Sequence, residues 1–276
     1  MQSYEWNKAA WDHAVDEGAN PYTTVVSPEE VAAARQGRWS LYLSDCKPVP
    51  KDWFPSLQGL KVLCLASGGG QQAPIFAVLG ADVTLLDASA RQLARDRYVA
   101  ERDNLSIRLV EGDMADLSIF ADDSFGLIFN PPSTLFIPDV APVWRACYRV
   151  LQPGGMLMTG FLNPDEFVFD PVALDSEGAF EVKYPLPYVE QETLSQEARE
   201  ERIRTKAMFH FSHTMEAHLG GLTQAGFVLT GFYEDRRPEA DGNPIRQFMP
   251  SYYVVCAQKV VLSRPTERPR ESHVND

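Results

Sequence analysis

Ser67-Gly68-Gly69-Gly70 stands between an apolar run at 61–66 and a helix-prone stretch reaching about residue 79. Glycines at such a turn permit positive φ and let a ligand approach the backbone closely. Gly68, Gly70 and Ala73 match the spacing of a dinucleotide fingerprint, and Asp87 follows seventeen residues after Gly70, at the end of a second apolar run. An acid in that place accepts both hydroxyls of a ribose. Turn and acid together predict an adenosine-containing ligand; the plainer reading is a tight turn and a strand-ending aspartate. Further on, Glu111-Gly112-Asp113-Met114 offers an acid to the exocyclic amine of an adenine and a thioether to its ring. Asn130-Pro131-Pro132-Ser133 makes a rigid turn. His210 and His213 are candidate general bases, with surface or capping roles as the alternative. They and His218 lack the convergent spacing of metal ligands, so no metal is expected.

The elements that must hold these residues alternate. Short apolar runs at 61–66, 82–87, 106–111, 125–130 and 156–162 read as buried strands. Helical stretches fall between them, at 90–102 and at 139–151, the latter stopped by Pro153-Gly154-Gly155. Strand and helix in this order imply βαβ units and a parallel sheet with right-handed crossovers. In such a sheet the ligand lies outside the carboxyl ends of the strands, where all these turns fall. Beyond 162 the alternation stops. Residues 163–205 read as an insertion, 207–211 as a strand, and 214–225 as a helix ending at Gly226 with Ser212 or Thr214 as its cap. Residues 227–233 and 252–258 read as two strands paired antiparallel. Before the first strand lies an aromatic preamble, with a helix over roughly 5–17 and another opening at Ser27-Pro28-Glu29-Glu30.

Residues 60–162 resemble the class I S-adenosylmethionine-dependent methyltransferases, and 206–259 do so more loosely. The likeness is nearest to the small-molecule branch with the ubiquinone- and menaquinone-biosynthesis enzymes, of methyltransferase type 11. The family's first motif, V-L-D-L-G-x-G-x-G, stands here as Val62-Leu63-Cys64-Leu65-Ala66-Ser67-Gly68-Gly69-Gly70. Cys64 replaces an acid that supports the loop, and Ala66 replaces the first glycine. The resemblance implies a Rossmann-like, doubly wound α/β sheet of seven strands with the last antiparallel. It implies S-adenosylmethionine as cofactor, with Asp87 and Ala88 on the ribose side and Gly112, Asp113 and Met114 on the adenine side. Ala66, Ser67, Gly68 and Gly70 would take the methionine part, beside Asn130 and Pro131. Asn130-Pro131-Pro132-Ser133 also resembles the N-P-P-Y motif of base and glutamine methyltransferases, but Ser133 lacks the stacking ring.

The rest of the composition narrows the acceptor. Twenty-five basic against thirty-eight acidic side chains give a net charge of −13, which disfavours nucleic acid. No apolar run reaches the ~20 residues of a membrane helix. The first twenty residues lack the apolar core of a signal peptide. Four scattered cysteines form no CxxC pair and suit a reducing cytoplasm. The expectation is therefore a cytoplasmic methyltransferase acting on a small molecule, with residues 1–59 as an N-terminal helical cap and lid and 60–261 as the catalytic domain. Residues 163–205 would cover the substrate and 262–276 would be a disordered tail. Trp11, Tyr22, Ser133 and Tyr184 are candidate substrate contacts; packing of the preamble and of the insertion is the alternative for their aromatics. Two other readings stay open: a nicotinamide-dependent oxidoreductase, which needs only the first βαβ unit, and a non-enzymatic module binding a metabolite or partner. Oligomeric state has no signal in the sequence.

Overall fold

The computed structural model describes residues 3–18, 20–170, 179–236 and 244–260. The expected tail at 262–276 lies outside the described residues. Seven strands form one sheet: β1 (Lys61–Leu65), β2 (Asp82–Asp87), β3 (Ile107–Glu111), β4 (Phe125–Asn130), β5 (Leu151–Leu162), β6 (Phe227–Asp235) and β7 (Tyr252–Lys259). Their order is β3-β2-β1-β4-β5-β7-β6, with β1 to β5 parallel. β7 runs antiparallel between β5 and β6. The strand order reverses between β1 and β4, the switch point where open α/β sheets bind ligands.

The helices follow the apolar pattern. α1 (Ser3–Glu17) and α2 (Pro28–Arg35) precede the sheet. α2 opens with a complete capping box, Ser27 accepting from Glu30 N while the Glu30 carboxylate accepts from Ser27 N. α3 (Gln72–Val78) and α4 (Ala90–Asp103) cover one face of the sheet, and α5 (Ala141–Val150) the other. Leu41, Leu43, Val49 and Leu57 share the first face's core with Val62, Cys64, Phe76 and Phe129. The extended stretch before β1 is therefore part of the fold's interior. A Cβ on Gly160 of β5 would lie 1.7 Å from the Leu43 carbonyl oxygen. Only glycine admits that crossing.

Three local expectations need correction. β5 starts at Leu151, which pairs with Phe125; Pro153-Gly154-Gly155 lies in a bulge of that strand, and the ladder resumes where Met156 meets Leu127. Residues 207–211 are not a strand: among the described residues Phe211 makes a single bridge, to Val189, its N–H donates to the Leu135 carbonyl, and the Asn7 and Glu190 side chains hold Phe209 and His210. The helix expected over 214–225 is a π-helical turn (Glu216–Gly220) leading into α8 (Gly221–Ala225). The wider turn accompanies two contacts: His218 stacks on Phe161 at 3.8 Å, and the Ala217 carbonyl accepts the Trp144 indole N–H at 3.1 Å. Two short helices, α6 (Glu190–Thr193) and α7 (Gln196–Arg204), lie within the insertion.

Candidate functional site

A cavity of about 780 Å³ opens at the carboxyl ends of the strands, within the size range of small-molecule sites. Its floor is the turns themselves: Ala66, Ser67 and Gly68 after β1, Asp87 and Ala88 after β2, Gly112, Asp113 and Met114 after β3, and Pro131, Pro132 and Ser133 after β4. The preamble is its roof. Tyr22 and Val25 lie on the glycine turn so closely that a Cβ on Gly69 would stand 2.4 Å from the Tyr22 carbonyl oxygen. Val26 N–H donates to Gly70 O at 2.9 Å, and Gln71 Nε2 to the Thr24 carbonyl at 2.9 Å. Tyr4, Lys8 and Trp11 of α1 complete the wall over β2 and β3.

α1 is fixed there by specific bonds. Asn7 Nδ2 donates to the Phe136 and Phe209 carbonyls at 2.8 and 2.9 Å, and its Oδ1 accepts from Phe209 N at 2.8 Å. Asp12 accepts from Ser89 Oγ at 2.6 Å and Arg91 N at 3.1 Å, at the start of α4. Lys8 pairs with Glu111 at the end of β3, 2.6 Å away. Trp11 meets Phe136 edge-on at 5.2 Å.

The turn's hydrogen bonds decide which ligands suit it. Gly68 N–H donates to Asp87 Oδ2 at 2.9 Å, while Asp87 Oδ1 accepts from Ser89 N at 2.9 Å. Gly69 and Gly70 N–H both donate to Asp96 Oδ2, each at 2.9 Å. Burial raises Asp87 to about 6 and Asp96 to about 7. Three glycine N–H groups that would cradle a pyrophosphate are thus occupied by two acids. A dinucleotide's phosphates find those three donors taken and two acids beneath them, which disfavours the oxidoreductase reading. A ligand carrying a positive sulfonium is suited to the same ground. Ala66 takes the family's glycine position at φ 47°, so the turn keeps its left-handed step.

Several expected site residues are not brought to the cavity. Gly70 is held between Val25 and Asp96 and does not line the cavity. Asn130 is wholly buried and fully bonded: Nδ2 donates to Leu65 O and Ser133 Oγ, and Oδ1 accepts from Thr159 Oγ1, all at 2.9 Å. It knits β1, β4 and β5 together and does not line the cavity, so it meets no planar amine there. His213 Nε2 lies 3.0 Å from both the Thr134 and Ile137 carbonyls, so it braces the loop after β4 from behind. His210 packs against Phe136 and Glu190, and burial pushes it down to about 4. Neither histidine borders the cavity. Tyr184 packs on Tyr188 within the insertion, also away from it. Trp11, Tyr22 and Ser133 do line it. Sequence reasoning missed Asp96, Gln92, Asp45 and Tyr252. Asp45 and Tyr252 border the half of the cavity over β5 and β7, together with Leu162, and Asp45 Oδ1 accepts the Tyr22 hydroxyl at 3.0 Å. Asp96 falls one turn after Gln92 on α4, and that spacing was its only signal.

Among the described residues, no group of three potential ligands is placed to hold a metal, and no helix is long and apolar enough to cross a membrane. A family profile described as "Methyltransferase domain" matches residues 63–159. The chain is 44% identical over 254 residues to "Uncharacterized methyltransferase YbaJ" of Bacillus subtilis, spanning 92% of this chain and 97% of that one. It is 33% identical over 106 residues to a "Ubiquinone biosynthesis O-methyltransferase" of Cereibacter sphaeroides, covering 38% of this chain and 42% of the relative. Among solved structures, an S-adenosylmethionine-dependent methyltransferase from Mesorhizobium loti superposes with a TM-score of 0.58 at 21% identity, covering 75% of this chain and 94% of that one.

Proposed function

Because the chain belongs to the class I S-adenosylmethionine-dependent methyltransferases, we propose that it methylates a small molecule held over the β5 and β7 half of the cavity. The cofactor supplies a methyl on a sulfonium, open to in-line displacement. The residues on the β1 to β4 side fit that group. Asp87 would accept the ribose hydroxyls with the lone pairs left beyond its bonds to the Gly68 and Ser89 N–H groups. Ala88, Gly112, Asp113 and Met114 border the adenine side, and Ala66, Ser67 and Gly68 the methionine side, next to Pro131. The two acids under the turn favour the donor's positive charge.

The opposite half suits an acceptor of modest size with an apolar body. Leu162 and Tyr252 form its floor, Tyr22 and Tyr42 its roof, and Ser133 stands between the halves. Catalysis there is alignment and exclusion of water, both served by the roof of the preamble. For an acceptor that gives up a proton, Asp45 is the carboxylate on that side, reached through the Tyr22 hydroxyl. The reading rests on one observation: a single cavity whose floor joins the β1–β4 turns to the ends of β5 and β7. Calorimetric titration with S-adenosylmethionine and S-adenosylhomocysteine, with NADH and NADPH as controls, tests it. Binding of the first pair alone is expected, followed by turnover in a screen of phenols, thiols, amines and quinol precursors. Binding of a nicotinamide nucleotide alone would sink the reading.

A further inference from the structure

The family's first strand carries an acid that supports the glycine turn; here that position is Cys64. Its side chain is fully buried among apolar neighbours, which raises its thiol well above the usual range. It cannot serve as the turn's acceptor. The nearby charge of Asp96 raises the same thiol further, so Asp96 occupies the neighbourhood that the missing acid would fill.

Asp96 is wholly buried on α4. Its Oδ2 accepts from two successive glycines whose φ angles, 124° and 76°, are ones that side-chain-bearing residues rarely adopt. The turn is thus clamped from both sides, by Tyr22 and Val25 above and by Asp96 below. Two further buried atoms lie on the same helix. Among the described residues, Asp96 Oδ1 and Gln92 Oε1 are buried without a hydrogen-bond partner, one helical turn apart on the same face. Gln92 borders the cavity, and a Cβ on Gly68 would stand 2.7 Å from its Cβ. The α4 face beneath the turn therefore continues into the site.

We propose that Asp96 is a positioning residue for the methyl donor, holding the glycine turn from helix α4 in place of the acid absent from β1. This rests on the assignment of the cavity's β1–β4 side to the donor. Removing the carboxylate leaves two buried N–H groups unpaired and the turn free to leave its left-handed conformation. A conservative amide keeps one oxygen able to accept both.

The test is calorimetric titration with S-adenosylhomocysteine of four proteins: wild type, Asp96→Asn, Asp96→Ala, and Cys64→Asp combined with Asp96→Ala. Hydrogen exchange across residues 66–72 is measured in parallel, without ligand. Asp96→Ala is expected to bind at least about tenfold more weakly and to exchange faster at Gly69 and Gly70. Asp96→Asn is expected within about threefold of wild type, and the combined variant to regain affinity lost in Asp96→Ala. Folded Asp96→Ala with unchanged affinity overturns the proposal. So does an equal loss in Asp96→Ala and Asp96→Asn with no recovery in the combined variant. If Asp96→Ala does not fold, the combined variant decides: near-wild-type binding supports the proposal, and weak binding by the folded protein overturns it. Absence of binding by the wild type removes the donor assignment, while faster exchange at the two glycines still reports whether Asp96 holds the turn.

Discussion

Ala66 holds a backbone conformation that its own side chain resists. At φ 47° its Cβ is crowded by the neighbouring carbonyl, at a cost of about 1–2 kcal/mol that glycine escapes. Glycine also gains unfolded-chain entropy, so Ala66→Gly is expected to stabilise by about 1 kcal/mol net, raising Tm by roughly 2–4 °C. Scanning calorimetry checks it; a lower Tm would show that the methyl group's packing outweighs the strain. At this scale the sequence was informative where a residue type has one use. Asp87, Asp113 and the small residues 66–68 line the cavity because a strand's end can present them nowhere else. Asn130 and the histidines misled, because polar side chains in buried turns are as readily consumed by backbone carbonyls as offered to ligands. Asp96 was hidden, since an acid in a charged helix carries no mark of facing inward.

α1 reaches the cavity only because a few polar contacts hold it there. Asn7 bonds to three backbone groups from two separate segments, and all three lose their partner in Asn7→Ala. A loss of about 2–4 kcal/mol is expected, read as a lower Tm in thermal unfolding together with weaker binding of S-adenosylhomocysteine. Unchanged stability would mean that water replaces the amide without loss. Elements with strong local signals were legible in advance. β2 and β4 match the apolar runs residue for residue, and Ser27 caps α2 as expected. The segment at 207–211 was not legible: its apolar character resembles a strand, yet its partners are Trp6, Asn7, Glu190, the Leu135 carbonyl and one bridge to Val189. Such pairing depends on tertiary neighbours that no local window contains.

Over the whole molecule, buried acids and buried histidines pull stability in opposite directions with pH. Asp87 at about 6, and Asp96 and Glu166 at about 7, lie above the unfolded value near ~3.9–4.3. The folded form therefore binds more protons, and their contribution is full below about pH 4 and lost as pH rises through 6 and 7. His210 at about 4 and His218 at about 3 do the reverse: their contribution is full above about pH 6.5 and lost as pH falls. The two sets offset each other in mildly acidic solution, and above pH 6.5 the acids act alone. Tm is expected to decline from about pH 6.5 to 8. Asp96→Asn should flatten that decline; an equally steep one would clear Asp96 of the effect. The parallel sheet and the place of its cavity were readable from strand and turn alternation, whereas the part of the preamble in the core was not. Leu41 and Leu43 lie in a stretch with no regular period, and their depth follows from the crossing at Gly160. That crossing and the seat of α1 also settle which end of the molecule can be tethered. Tyr4 stands on the cavity wall, so any affinity handle or surface linker fused ahead of Ser3 crowds the ligand's doorway. The close of β7 lies at the far end of the strands, where Lys259 bonds to Asp123 and the Leu151 carbonyl, and immobilisation there leaves the doorway facing solution.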